Sequence, residues 1–116
     1  MQDGDEIVTS PEILKPLIIR SLRRSNVRKK IADYLFDISP SGSYTSEIAY
    51  NVKTTPTNVI GAIRGMNSRY RNEESLISLQ IVEQINRGKR NEIKLYKLTD
   101  LGRDVLKSMR DNKRHF

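Results

Sequence analysis

Two short amphipathic segments, separated by a few turn-forming residues, constrain the fold of this 116-residue chain more than any other feature. In the first segment, Ile48, Ala49 and Val52 recur at the spacing of one helical face. The second segment opens with Thr55-Pro56, a capping hydroxyl followed by a proline that suits the first helical position. The pattern therefore predicts two helices joined by a tight turn at Lys53-Thr54. The apolar stripe of the second helix comprises Val59, Ala62, Ile63, Met66 and Tyr70.

Helical patterns also precede this pair. Ser10-Pro11-Glu12 combines an N-cap, an early proline and an acid in the first turn, and it predicts a helix over 10–23. Pro16 removes a backbone hydrogen bond inside that pattern, so we expect a kink or a later helix start. A second apolar stripe predicts a helix over 26–38, followed by a loop of small residues. Thr45 is then expected to cap the first helix of the pair.

After the pair, the apolar pattern changes to the short period of β-strands. Two β-branched and apolar runs flank a polar tip that contains Gly88, and they predict a hairpin over 79–98. Thr99 is expected to cap a last helix over 100–110. We therefore expect an α+β fold that is mostly α with a small β-hairpin. The expected organisation is a flexible acidic N-terminus over 1–9, a single domain over 10–110 and a basic tail over 111–116.

The charge balance indicates an acidic partner. The chain carries 21 Lys and Arg against 14 Asp and Glu, a formal net charge of +7, and such a positive field attracts polyanions. Aromatic residues make up 6% of the chain, which limits stacking on unpaired bases and favours a duplex. We therefore expect double-stranded DNA as the partner, and an acidic protein also fits the charge.

The sequence lacks the residue sets that usually carry catalysis. It contains no Cys, its single histidine is His115 near the end, and it has no glycine-rich loop of the GxxxxGK type. We therefore expect no catalytic site, no metal and no cofactor. No apolar run is long enough to span a membrane, and the N-terminus is acidic where a signal peptide would be basic. A soluble cytoplasmic protein is expected.

The two-helix unit at 45–70 resembles the helix-turn-helix motif, whose second helix enters the DNA major groove. The predicted hairpin and the junction Leu98-Thr99-Asp100-Leu101-Gly102-Arg103 follow it. In this order the elements resemble the winged helix-turn-helix family of transcriptional regulators, of the small prokaryotic and particularly archaeal kind, over residues 25 to 110. The resemblance implies a winged helix-turn-helix DNA-binding domain with an added N-terminal helix.

Two features depart from that family. Lys53 stands at the turn position that the family usually fills with glycine, so a left-handed backbone there would be strained. The segment from Asn67 to Ser78 is longer than the usual link between the second helix and the wing.

The face of the second helix opposite its apolar stripe is the predicted DNA-contacting surface. Asn58 can bond adenine edges, Arg64 can bond guanine, and Gly61 permits a close approach. No acid occurs between Lys53 and Asn72, as expected for a helix that enters a polyanion. The predicted contacts on this segment are Thr54, Thr55, Thr57, Asn58, Gly61, Arg64 and Ser68.

Two further basic groups extend this surface. The resemblance implies that the wing, with Arg87, Lys89 and Arg90 at its tip, lies along the backbone or in the minor groove. A charged tip also protects a hairpin against edge-to-edge aggregation. The resemblance further implies that Arg28 and Lys29 lie near the phosphate backbone, although a charged run is equally explained as a solvated helix face.

These features predict a sequence-specific DNA-binding protein that acts as a transcriptional regulator. We expect a homodimer, because two-fold pairing extends a small contact surface. Its interface is expected on the N-terminal helix, the last helix or both, and the candidate residues are Leu17, Ile18 and Val105. The alternatives are a sequence-tolerant architectural DNA-binding protein and a winged-helix module that binds an acidic protein. Asn58 and Arg64 favour DNA over the protein-interaction module.

Overall fold

Five α-helices and a three-stranded antiparallel sheet make up the part of the chain that the computed structural model describes, residues 10–66 and 72–114. The helices are α1 (Pro11–Arg24), α2 (Asn26–Ile38), α3 (Thr45–Val52), α4 (Pro56–Arg64) and α5 (Asp100–Arg114). The strands are β1 (Ser43–Tyr44), β2 (Val82–Arg87) and β3 (Ile93–Leu98), and a single 3-10 turn covers Asn72–Glu74. The predicted α+β class is confirmed at this level.

The first helix, α1, begins where the sequence predicts. Ser10 Oγ donates a hydrogen bond to the first-turn carboxylate of Glu12 at 2.7 Å, and this bond lowers the pKa of Glu12. The helix begins before Pro16 and continues through it, so the alternative of a later start after this proline is wrong. The backbone hydrogen bond that a proline cannot make is offset by packing of the buried apolar face of α1. That face comprises Leu14, Ile18 and Leu22.

The second helix, α2, spans the predicted residues and is capped at its start. Ser25 Oγ accepts a hydrogen bond from the Arg28 N–H at 3.2 Å. The start of α3 differs by one residue from the prediction, because Tyr44 and not Thr45 occupies the N-cap position. The Glu47 carboxylate accepts the Tyr44 N–H at 2.9 Å, which satisfies one free donor at the helix start.

The ends of α4 and α5 also differ from the predictions. α4 ends at Arg64, because the following Gly65 has a φ of 94° that leaves the helix. The Leu76 and Ile77 N–H groups each donate at 3.0 Å to a carbonyl in the last turns of α4. The segment that follows α4 therefore returns to it and satisfies carbonyl groups near the end of the helix. α5 continues to Arg114, so the predicted basic tail begins inside a helix.

The hairpin forms as predicted, and a third strand joins it. β2 and β3 are antiparallel, with Val82 opposite Leu98 and Arg87 opposite Ile93. β1 pairs with the other side of β3, which gives the strand order β1-β3-β2. Two residues are too few to produce a periodic pattern, so sequence analysis missed this strand.

The core lies between the helices and the inner face of the sheet. Tyr96 and Leu98 alternate along β3 with less buried residues and are themselves buried. Ile18 and Val105 are 0% and 2% exposed within the single chain, so the prediction that they form a dimer interface is wrong. Leu17 is 38% exposed. The predicted core residues of α4 that are fully buried are Val59, Ala62 and Ile63.

The first turn of α5 packs so closely on the start of β2 that Gly102 has no room for a side chain. A Cβ there would collide with the carbonyl oxygen of Ile81. Thr99 Oγ1 also accepts the Gly102 N–H at 2.9 Å, which holds the turn in place. We expect Gly102→Ala to lower the free energy of unfolding, measured in urea, by about 1–3 kcal/mol. The control Ser108→Ala, at an exposed position of α5, should change it by less than about 0.5 kcal/mol. Equal stability of the two variants would contradict this close packing.

Candidate nucleic-acid interface

The turn between α3 and α4 is tight. Lys53 has φ 60° and ψ 53°, so its backbone is left-handed. This conformation is strained for a residue that carries a side chain. The Thr54 N–H donates to the Ala49 carbonyl at 3.0 Å and closes the end of α3. Thr55 Oγ1 accepts the Asn58 N–H at 3.1 Å, which confirms the predicted cap of α4. These bonds fix the direction in which α4 leaves the turn.

One face of α4 carries polar side chains away from the core. Thr57 and Arg64 are exposed, and Thr55 is exposed at the start of the helix. Asn58 is half-buried, and its Nδ2 donates to Thr54 Oγ1 at 3.0 Å. The Asn58 amide is therefore already hydrogen-bonded inside the turn, whereas Thr57 and Arg64 extend into solvent.

Gly61 lies one helical turn from both Thr57 and Arg64, but it is buried, whereas those two residues are exposed. Its burial does not favour the predicted close approach of DNA at Gly61. Helical spacing places a residue on a face, but it does not show whether neighbouring chain covers that residue. Ser68, another predicted contact, lies outside the described residues.

Arg64 is hydrogen-bonded to the hairpin. Its Nη2 donates to Gln84 Oε1, on β2. The same Gln84 oxygen accepts the Tyr96 hydroxyl at 3.2 Å, and Gln84 Nε2 donates to Asn86 Oδ1 at 2.9 Å. Sequence analysis missed Gln84, because nothing in a strand's alternation shows which helix residue lies across from it.

The tip of the hairpin carries the predicted basic residues in exposed positions. Arg87, Lys89 and Arg90 are all exposed. Gly88 has a φ of 91°, which suits a glycine at a turn. Glu92, which the sequence analysis did not consider, accepts the Arg90 N–H at 3.0 Å through its carboxylate. The tip therefore holds three basic side chains and one acid that is bound to its own backbone.

Arg28 is buried and does not reach the surface. Its side chain is 5% exposed, its Nε donates to the Ser21 carbonyl at 3.2 Å, and its Nη2 pairs with the Glu74 carboxylate at 3.2 Å. Arg24 pairs with the other oxygen of that carboxylate at 3.0 Å. The predicted contact of Arg28 with a phosphate backbone is therefore wrong. Lys29 is half-buried and pairs with Asp33 at 2.7 Å on α2.

Because Arg28 is buried against Glu74, we expect Glu74→Gln to act on stability. The amide keeps the shape of the side chain but removes the charge that pairs with two arginines. The free energy of unfolding in urea should fall by about 1–3 kcal/mol, the cost of leaving a buried polar group poorly partnered. The adjacent and exposed Glu73→Gln is the matched control, with an expected change below about 0.5 kcal/mol. A Glu74→Gln protein as stable as the control would show that the ion pairs of Glu74 with Arg24 and Arg28 contribute nothing to the free energy of unfolding.

Residues 10–66 and 72–114 contain neither a membrane-spanning helix nor a metal-binding cluster. No helix in these ranges is long and apolar enough to cross a membrane. Nor do these ranges bring together three or more His, Asp or Glu side chains in a group that could hold a metal ion.

Comparison with known proteins identifies relatives of this chain. Over 103 residues it is 44% identical to the uncharacterized protein MJ0905 of Methanocaldococcus jannaschii. The aligned region covers 89% of this chain and 90% of that protein. No solved structure matches the chain. Residues 18–109 match the EarA-like family, and this range contains α2 to α4, the sheet, the second half of α1 and the first two thirds of α5. The chain belongs to the EarA-like family.

Proposed function

We propose that this chain is a winged helix-turn-helix protein that binds double-stranded DNA sequence-specifically and regulates transcription. In this proposal α3, the turn at Lys53 and α4 form the helix-turn-helix, and the β2–β3 hairpin is the wing. α4 enters the major groove, and the wing lies on the backbone or in the minor groove.

The observation that carries the proposal is the combined surface of α4 and the hairpin. α4 contains no acidic residue and presents the exposed Thr57 and Arg64 away from the core. The hairpin tip adds the exposed Arg87, Lys89 and Arg90. Exposed basic side chains on the hairpin, together with an acid-free helix face, suit a polyanion, because carboxylates on that face would be repelled by phosphates.

The side chains on this surface have two roles, contact with bases and contact with phosphates. Arg64 is suited to guanine, whose O6 and N7 accept two hydrogen bonds from one guanidinium. Thr57 can contact a thymine methyl group or a phosphate. The arginines and lysine of the wing tip can neutralise phosphates, which strengthens binding to every sequence. Sequence preference therefore depends on α4, and general affinity depends on the wing.

The experiment begins with selection of duplexes from a random pool, followed by anisotropy titration of the selected duplex at several salt concentrations. A regulator should bind the selected duplex at least about 1000-fold more tightly than a scrambled one. Binding of both duplexes with equal affinity and a steep salt dependence would favour an architectural protein. Absence of binding at low salt would overturn the proposal and favour an acidic protein partner.

Substitutions of Arg64 and Arg90 should separate the two roles. We expect Arg64→Ala to weaken binding to the selected duplex by about 1–3 kcal/mol and to relax preference at one base pair. Arg90→Ala should weaken binding to all duplexes alike and reduce the slope of log affinity against log salt by about 1. The control Arg103→Ala removes an exposed arginine of α5, outside the proposed surface, and should change neither quantity. Unchanged preference in Arg64→Ala would contradict the assignment of α4.

The proposal includes a homodimer that pairs through α1. Ile13 and Leu17 lie one turn apart on α1 and are 42% and 38% exposed, and neighbouring exposed apolar side chains favour burial against a second copy. We expect Leu17→Lys to shift the protein from dimer to monomer in analytical ultracentrifugation. Ser108→Lys, which adds the same charge at an exposed position of α5, is the control and should remain dimeric. A wild-type protein that sediments as a monomer would contradict the dimer.

A further inference from the structure

Gln84 links the exposed end of α4 to the buried side of the hairpin. We propose that Gln84 is a positioning residue that holds the Arg64 guanidinium ready to read a guanine. The inference rests on the proposed function and deepens it, because it assigns the base preference of α4 partly to a residue of β2.

Arg64 must be ordered when it binds a base. Its side chain is long and exposed, and such a side chain loses rotamer entropy when a ligand fixes it. A guanidinium carries five N–H donors in one plane, and the bond from Nη2 to Gln84 Oε1 occupies one of them. The remaining donors can still form the paired hydrogen bonds to guanine O6 and N7. The contact with Gln84 is therefore compatible with base reading and restricts Arg64 beforehand.

Three hydrogen bonds set the orientation of the Gln84 amide. Gln84 Oε1 also accepts the Tyr96 hydroxyl at 3.2 Å, and Nε2 donates to Asn86 Oδ1 at 2.9 Å. A flipped amide would point its NH2 group at the Arg64 guanidinium, which has no acceptor, so the contact with Arg64 requires Oε1 on this side. Because Tyr96 is 1% exposed, its ring is held by the core. A continuous set of hydrogen bonds thus runs from the core through Gln84 to Arg64.

Positioning of Arg64 by Gln84 and direct contact of Gln84 with DNA differ in the effect of removing Gln84. A glutamine can itself bind adenine edges, and in that case its removal would affect a base pair of its own. A positioning residue acts through Arg64, so its removal can affect only the base pair that Arg64 reads. The two cases predict different outcomes when both residues are replaced together.

The test measures the discrimination of wild type, Arg64→Ala, Gln84→Ala and the double variant by anisotropy. Each base pair of the selected duplex is replaced in turn, and discrimination is the ratio of Kd values for replaced and original duplexes. Arg64→Ala identifies the base pair that Arg64 reads. We expect Gln84→Ala to lose about 2- to 10-fold in discrimination at that same base pair, the penalty for ordering one long side chain on binding. At that base pair, the discrimination of the double variant should then be no lower than the discrimination of Arg64→Ala alone.

A further variant controls for effects of these substitutions on stability. Tyr96→Phe removes the other hydrogen bond to Gln84 Oε1 and leaves the contact with Arg64 in place. If Gln84 acted only on stability, Tyr96→Phe and Gln84→Ala proteins of similar thermal stability would lose discrimination equally. We expect a smaller loss of discrimination in Tyr96→Phe.

Several results would overturn the inference. Loss of discrimination at a different base pair in Gln84→Ala, or a further loss in the double variant, would indicate direct contact of Gln84 with DNA. Unchanged discrimination in Gln84→Ala would show that Arg64 needs no support. Wild-type protein that binds no duplex, or binds all duplexes equally, would overturn the proposed function together with this inference, and it is recognised before any variant is measured.

Discussion

The contacts of Glu74 hold together parts of the chain that lie far apart in the sequence. Its carboxylate pairs with Arg24 on α1 and Arg28 on α2, and its carbonyl oxygen accepts the Ser21 hydroxyl at 2.7 Å. Arg28 and Ser21 are buried, so these bonds replace water that both groups have lost. The segment that returns from α4 is thereby fixed to the first two helices.

The position of the candidate interface depends on this attachment. Directly after Glu74, the backbone of Leu76 and Ile77 bonds to the carbonyls at the end of α4. The chain then enters β2, and Thr99 Oγ1 bonds to the Ile81 carbonyl at 3.2 Å at the base of the hairpin. Backbone hydrogen bonds therefore join the end of α4 to the segment that leads into β2, and the side chains of Arg64 and Gln84 bridge α4 and β2.

Sequence patterns predicted what is encoded locally. The bounds of α2, the caps at Thr55 and Thr99 and the turn at Gly88 each depend on a few neighbouring residues, and the structure contains all of them. The exposed positions of Thr57 and Arg64 also follow from helical spacing.

Patterns failed where distant residues decide the outcome. The basic run around Arg28 looks solvated or phosphate-binding in sequence, because its partner Glu74 lies 46 residues away. The apolar stripe of α4 continues in the sequence to Tyr70, yet the helix ends at Arg64, where Gly65 turns away and returning chain supplies hydrogen bonds. Ile18 and Val105 could not be assigned to core or surface without knowing which helices pack together.

The strand order β1-β3-β2 also restricts how copies of this protein can associate. The long strand at the edge of the sheet is β2, and its exposed Glu83 and Arg87 carry charges that oppose the addition of a further strand. The opposite edge is β1, whose two residues offer too short a ladder for stable pairing. Growth of the sheet from one molecule to the next is therefore disfavoured at both edges, which leaves the hairpin accessible to other partners.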